Sequence, residues 1–163
     1  QAAQSLQSEL LMMMPEEIGD EPLAQEKYLV KNAKKIAILT AGAAAQRFMT
    51  KLDQEQEVLV NIANIANQLY AMESVVIRTQ KAIERDGVEK ASQKILYTQI
   101  FCQEAFAIIE AEAKDTLLAS VEGDAGRMTL SALRKLTRNN PYNLIPKKRE
   151  ASVKLIEAEK FVV

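Results

Sequence analysis

The side chains that carry most enzymatic proton and metal chemistry are missing from this chain or are badly spaced. It contains no histidine. That removes Ser-His-Asp and Cys-His nucleophile pairs, and with them the Glu-x-x-His repeats that hold two irons inside a helical bundle. One cysteine, Cys102, is too few for a zinc site without histidine. It falls on an apolar stripe, where an inert buried thiol is expected. Glu110 and Glu112 are two residues apart, so on a helix they point in different directions and make a poor acid/base pair. Neither GxGxxG nor GxxxxGKS/T occurs, so no glycine-rich loop is available to cradle phosphates. Asn61, Asn64 and Asn67 form a row at three-residue spacing, read as the exposed edge of a packed helix rather than a binding row. No catalytic, cofactor-binding or metal-ligating residue is expected within the chain.

Charge is the remaining source of a site, and it is unevenly placed. The net charge is −1, which gives no reason to expect nucleic acid. Residues 1–26 nevertheless carry Glu9, Glu16, Glu17, Asp20, Glu21 and Glu26 and no base. Residues 124–149 carry Arg127, Arg134, Lys135, Arg138, Lys147, Lys148 and Arg149 against Asp124 alone. Such a basic cluster is a candidate patch for an anionic partner: lipid, phosphate or an acidic surface. The usual explanation of such a cluster is a solvated face, or a counterpart of the chain's own acidic segment.

The elements that must position these residues are helices. Val58, Ile62, Ile65, Leu69, Met72 and Val76 recur at alternating steps of four and three, the heptad spacing of one helix packed on another. Asp53 and Gln56 precede that run as a usable N-cap and N3 pair. The spacing predicts an all-α, up-and-down bundle of three long helices plus shorter terminal ones. The long helices are expected near 22–51, 53–85 and 88–121. A short helix is expected over 1–14, with Leu6, Leu10 and Met13 on one face, and an acidic linker over 15–22. C-terminal helices are expected over 124–163, one capped by Asp124 and the last opened by Pro146. The whole of 1–163 reads as a single helical domain, long enough to bury a core.

Expected inward stripes are Val30, Ala33, Ala37, Ala41, Ala44 and Phe48 in the first long helix. In the third they are Val88, Ala91, Ile95, Thr98, Cys102, Ala105 and Ile109. Met128, Ala132, Leu133 and Leu136 form the next, and Ala151, Leu155, Ala158 and Val162 the last. The bulk-free run Ala41-Gly42-Ala43-Ala44-Ala45 suits close helix–helix approach, or a ligand seated against exposed backbone. The lone cysteine points to an intracellular protein. No apolar run reaches the ~20 residues that span a bilayer, and no secretory signal is expected, because residues 1–26 hold no Lys or Arg.

Three segments extend the reading. They are AKKIAILTAGAAAQRF (33–48), NIANQLYAMESVVIRTQKAI (64–83) and LRKLTRNNPYNLIPKKREASVKLIEAEKFVV (133–163). Together they resemble the extreme C-terminal region of long bacterial acyl-CoA dehydrogenases, the enzymes similar to the mitochondrial very-long-chain dehydrogenase. The resemblance implies an extra helical domain appended to a flavoenzyme of fatty-acid β-oxidation. It implies that FAD, the acyl-CoA contacts and the catalytic glutamate lie in the preceding domains of the parent, so this chain alone is expected to be inactive. It further implies docking on those domains, homo-oligomeric assembly, and a cytoplasmic location with a membrane surface as a partner. The alternative is a free-standing helical interaction or scaffold module.

Overall fold

The computed structural model describes residues 18–160. The predicted short helix over 1–14, the first residues of the acidic linker (15–17) and Val162 lie outside the described residues. Five α-helices account for nearly all of the rest, and no strand occurs among the described residues. They are α1 (Ala24–Phe48), α2 (Gln56–Asp86), α3 (Ser92–Ser120), α4 (Gly123–Leu136) and α5 (Leu144–Ala158).

Cross-helix contacts fix the topology. Lys34 of α1 pairs with Glu73 of α2, while Ala37 and Ala41 line the same small depression as Ile62 and Ile65. Higher numbers on α1 therefore meet lower numbers on α2, so the two run antiparallel. Thr79–Thr98 and Asn64–Glu112 make α2 and α3 antiparallel in turn. Arg47–Glu122 closes the far end of α1 on the end of α3. The three long helices run up, down and up, and α1 and α3 lie side by side and parallel. This is the expected bundle, with α4 and α5 packed against its open flank.

The core follows from wide apolar faces. Leu29, Ile36, Leu39, Ile65, Met72, Phe106, Ile109 and Leu117 are all but inaccessible to solvent. At roughly 1.5–3 kcal/mol for each fully buried large side chain, this group supplies the main drive to fold. The α2 stripe holds broadly: Val58, Ile65, Met72 and Val76 are buried, and half-buried Leu69 packs against the core. In α1 the predicted stripe is only one edge of the buried face. Ala33 and Ala44 are inside, but Ala37, Ala41 and Phe48 are half-buried, and the deepest side chains are Leu29, Ile36 and Leu39. Because α1 touches both α2 and α3, it buries far more than one heptad seam.

Several boundaries differ from the sequence reading, each for a local reason. The first long helix begins at Ala24, not Pro22; Leu23 is held in a left-handed conformation (φ 68°) with its side chain buried. That helix ends at Phe48, and Met49–Gln54 form a 3₁₀ segment instead of more α-helix. The reversal into antiparallel α2 consumes these residues. Asp53 therefore caps nothing, and α2 starts from Glu55 with no side-chain cap. At the next reversal Gly87 takes a positive φ of 84°, which glycine adopts without strain, and α3 starts at Ser92. Val88 is exposed as a result.

Asp124 lies inside the first turn of α4, behind Glu122, rather than at its cap. There its charge still favours the helix dipole. Met128 turns outward, 56% exposed, and Thr129 takes the inward place with its hydroxyl donating to the Ala125 carbonyl. α5 opens two residues before Pro146, because Asn143 Oδ1 accepts from the Ile145 N–H at 3.1 Å. Pro146 then sits in the first turn, where its missing N–H costs nothing.

Candidate functional site

One face of α1 organises the C-terminal part of the chain. Gln25, Tyr28 and Asn32 are spaced three and four residues apart, so they lie on one side of the helix. Each donates to a backbone carbonyl of the segment leaving α4. Gln25 Nε2 reaches Asn140 O at 2.8 Å, Tyr28 Oη reaches Arg138 O at 3.2 Å, and Asn32 Nδ2 reaches Leu136 O at 2.9 Å. The last carbonyls of a helix have no partner within it. This side-chain ladder supplies one to Leu136 and continues the pairing as the backbone leaves α4. It holds the 136–142 segment over the beginning of α1.

Glu26 is enclosed beneath that segment. It is 1% exposed, and neither carboxyl oxygen has a hydrogen-bond partner. Burial pushes its pKa upward, against a smaller opposing pull from its own backbone, the Tyr142 hydroxyl and the Lys147 ammonium. Burial thus shifts Glu26 toward the neutral form relative to a glutamate in water. Around it stand Tyr142, Cys102 and Lys147. Burial and the nearby Glu26 carboxyl push the Tyr142 hydroxyl up as well. Cys102 is wholly enclosed, and burial, with Glu26 adding to it, pushes its thiol up to about 12. A thiol so reluctant to ionise is a poor nucleophile, as its apolar stripe predicts. In the sequence Glu26 stands out only as one of six acids, and Tyr142 only as part of the segment 133–163. Sequence carries one usable signal: Glu26 falls between core positions of α1 rather than on an outer face.

The basic cluster does not assemble as one free face. Arg127 pairs with Asp124 one turn back on α4. Arg134 and Lys135 occupy the last turn of α4, where cations suit the helix dipole. Arg138 is exposed, and its carbonyl belongs to the ladder. Lys147 turns inward, donating to Gln99 Oε1 at 2.6 Å with its ammonium 4.7 Å from the Tyr142 ring centroid. Lys148 pairs with Glu104 of α3. Arg149 is exposed on α5. Lys147 and Lys148 therefore pin α5 to α3, and Lys147 also stands near Glu26, a member of the acidic segment. The asparagine row divides similarly. Asn64 donates to Glu112 at 3.2 Å, and Asn61, with its amide turned as its surroundings require, does so at 2.6 Å. Asn67 is exposed. Glu112 is thus occupied between helices, while Glu110 faces solvent.

The N-termini of α2 and α4 are the natural seats for a pyrophosphate, but Glu55 and Glu122 stand at their caps and repel one. Among the described residues no three His, Cys, Asp or Glu side chains converge as a metal site. No described helix is long and apolar enough to cross a membrane.

Comparison with known proteins explains this arrangement. The family model for the acyl-CoA dehydrogenase C-terminal domain matches residues 32–135. A probable acyl-CoA dehydrogenase of Bacillus subtilis (strain 168) is 62% identical over 161 residues, which cover 99% of this chain and 27% of that protein. The crystal structure of an acyl-CoA dehydrogenase from Bacillus anthracis, complexed with FAD, matches with a TM-score of 0.94 at 61% identity. It too covers 99% of this chain and 27% of its own. The chain spans about a quarter of the length of both relatives. With its family model matching well over half of it and its whole described bundle reproduced in the solved relative, the chain belongs to the acyl-CoA dehydrogenase C-terminal domain family.

Proposed function

We propose that this chain is the appended, non-catalytic helical domain of a longer FAD-dependent acyl-CoA dehydrogenase acting in fatty-acid β-oxidation. The observation that carries the reading is the match at 62% identity over almost the entire chain to only a quarter of a probable acyl-CoA dehydrogenase. The internal chemistry supports it. Glu26 and Cys102 are enclosed, Lys147 and Lys148 join α5 to α3, and among the described residues nothing gathers into an acid/base pair. The domain supports the rest of the enzyme, which holds FAD and acyl-CoA and assembles as a homo-oligomer in the cytoplasm. In its domain organisation 1–163 acts as one unit.

The test is to prepare the chain and its full-length parent side by side. The chain alone is expected to be colourless and to reduce no dye with palmitoyl-CoA. The parent is expected to show a flavin absorbance band and to reduce the dye. A stoichiometric flavin band in the chain alone, or a flavin-free and inactive parent, overturns the reading.

A further inference from the structure

Between the C-terminal half of α2 and the N-terminal half of α3 lies a groove of about 660 Å³, within the ~300–1,000 Å³ usual for small-molecule sites. Its lining follows from two adjacent stripes on α2. Val75, Thr79 and Ala82, at steps of four and three, face α3 and form the floor. Arg78, Lys81 and Arg85, at the same kind of steps, form a cationic rim one position over. From α3, Phe101 extends the floor and Lys94 adds a fourth cation. The two hydroxyls in the floor, Thr79 and Thr98, bond each other at 2.7 Å, so they ask nothing of a ligand.

The lining contains no carboxylate. Arg85 is held by Asp86 through two hydrogen bonds, at 2.9 and 2.7 Å, at the groove's end. Among the described residues no carboxylate lies within ion-pairing distance of Arg78, Lys81 or Lys94. Lys94 faces the Asp86 carboxylate across the turn, which leaves Arg78 and Lys81 as two uncompensated cations beside an apolar trough about 15 Å long, at 1.5 Å rise per residue from Val75 to Arg85; together they define a matching shape. It is a narrow apolar body with a negative end.

We propose that this groove is a binding site for a single-chain anionic amphiphile, an acyl chain lying on the apolar floor with its carboxylate or phosphate head against Arg78 and Lys81. The ligand is a monomer taken from solution. The floor is recessed between two helices, whereas a membrane-surface element needs its apolar residues on an outward face. The inference concerns residues of this chain only and stands apart from the reading of the parent's chemistry.

The experiment uses the full-length polypeptide carrying this chain, whose flavin content reports separately on that reading. A palmitate bearing a diazirine in its chain is photolysed with the protein, and the labelled peptides are mapped by mass spectrometry. Label is expected within residues 75–101, displaced by unlabelled palmitate and by dodecyl phosphate but not by hexadecanol. Charge reversal by Arg78→Glu with Lys81→Glu, both exposed, should reduce labelling on the order of tenfold through loss of two ion contacts at a partly desolvated rim. The head-group comparison needs no variant and decides the matter if the double variant misfolds. No label in 75–101, or displacement by the alcohol equal to that by the acid, overturns the proposal. So does label in that region only when the probe is presented in phosphatidylglycerol vesicles, which assigns the face to a membrane instead.

Discussion

Replacing Glu26 by Gln tests whether the start of α1 is held as a buried neutral acid. The side chain keeps its length and loses its charge. Below about pH 4.3, where an unfolded glutamate titrates, both proteins are neutral at this position and should differ little. Above that pH the unfolded wild-type chain releases a proton that the native chain retains, because burial raises the native pKa. The native state then binds more protons than the unfolded state, so this contribution to stability falls as pH rises. For one proton the limiting slope is about 1.4 kcal/mol per pH unit. The loss ends once pH passes the native pKa. The Gln variant has no such proton, so the stability difference should open in its favour through that window. Glu26 adds to the upward push on Tyr142 and Cys102, but burial is the larger cause for both, so neither titrates in the pH range of the comparison. Urea unfolding at constant ionic strength, from roughly pH 4 to roughly pH 8, gives the two curves. Parallel curves would show an unshifted Glu26, and a Gln variant that weakens relative to wild type as pH rises would show an ionised partner of Lys147; either result would refute the reasoning.

Phe106→Ala should cost about 3–5 kcal/mol in chemical denaturation, since the ring is 1% exposed among the three long helices. Leu69→Ala, at a half-buried position, should cost less, about 1–2 kcal/mol; equal costs would mean that the core is misplaced. Asn32→Ala leaves the Leu136 carbonyl buried without its donor. It should cost about 1–3 kcal/mol and speed amide exchange in the last turn of α4, and unchanged exchange there would contradict the ladder. Cys102 should resist a thiol reagent at mildly alkaline pH and react only at the rate of unfolding, because it is enclosed and its pKa is pushed up to about 12. Stoichiometric labelling of native protein would show that this end of the bundle opens.

Periodicity made the long helices legible. The α2 stripe could be read because that helix packs mainly along one seam. The α1 face was only partly readable: a helix buried on two sides has no single stripe, so Leu29, Ile36 and Leu39 escaped a search for one heptad. Boundaries failed where tertiary geometry outweighed local signals. Asp53 has the chemistry of a cap, but the turn between antiparallel helices claims it. The basic cluster was visible as composition and not as geometry. Only the fold shows that Lys147 points at Gln99 and Tyr142 while Arg149 points away. Gln25, Tyr28 and Asn32 were invisible as a set, because their partners are backbone carbonyls more than a hundred residues along the chain.

That separation imposes an order of events. None of the three carbonyls that this face of α1 awaits has been synthesised when the first hairpin of helices leaves the ribosome. Local helix pairing can proceed early, but the ladder must wait for residues 136 to 140 and then close a very long loop. Until it does, Gln25 and Asn32 lack their backbone partners at that end. A nascent chain stalled after α3 is therefore a three-helix body with an unlatched end. Completion of the last two helices is the step that latches it, which makes the C-terminal quarter a late checkpoint on whether the domain is finished.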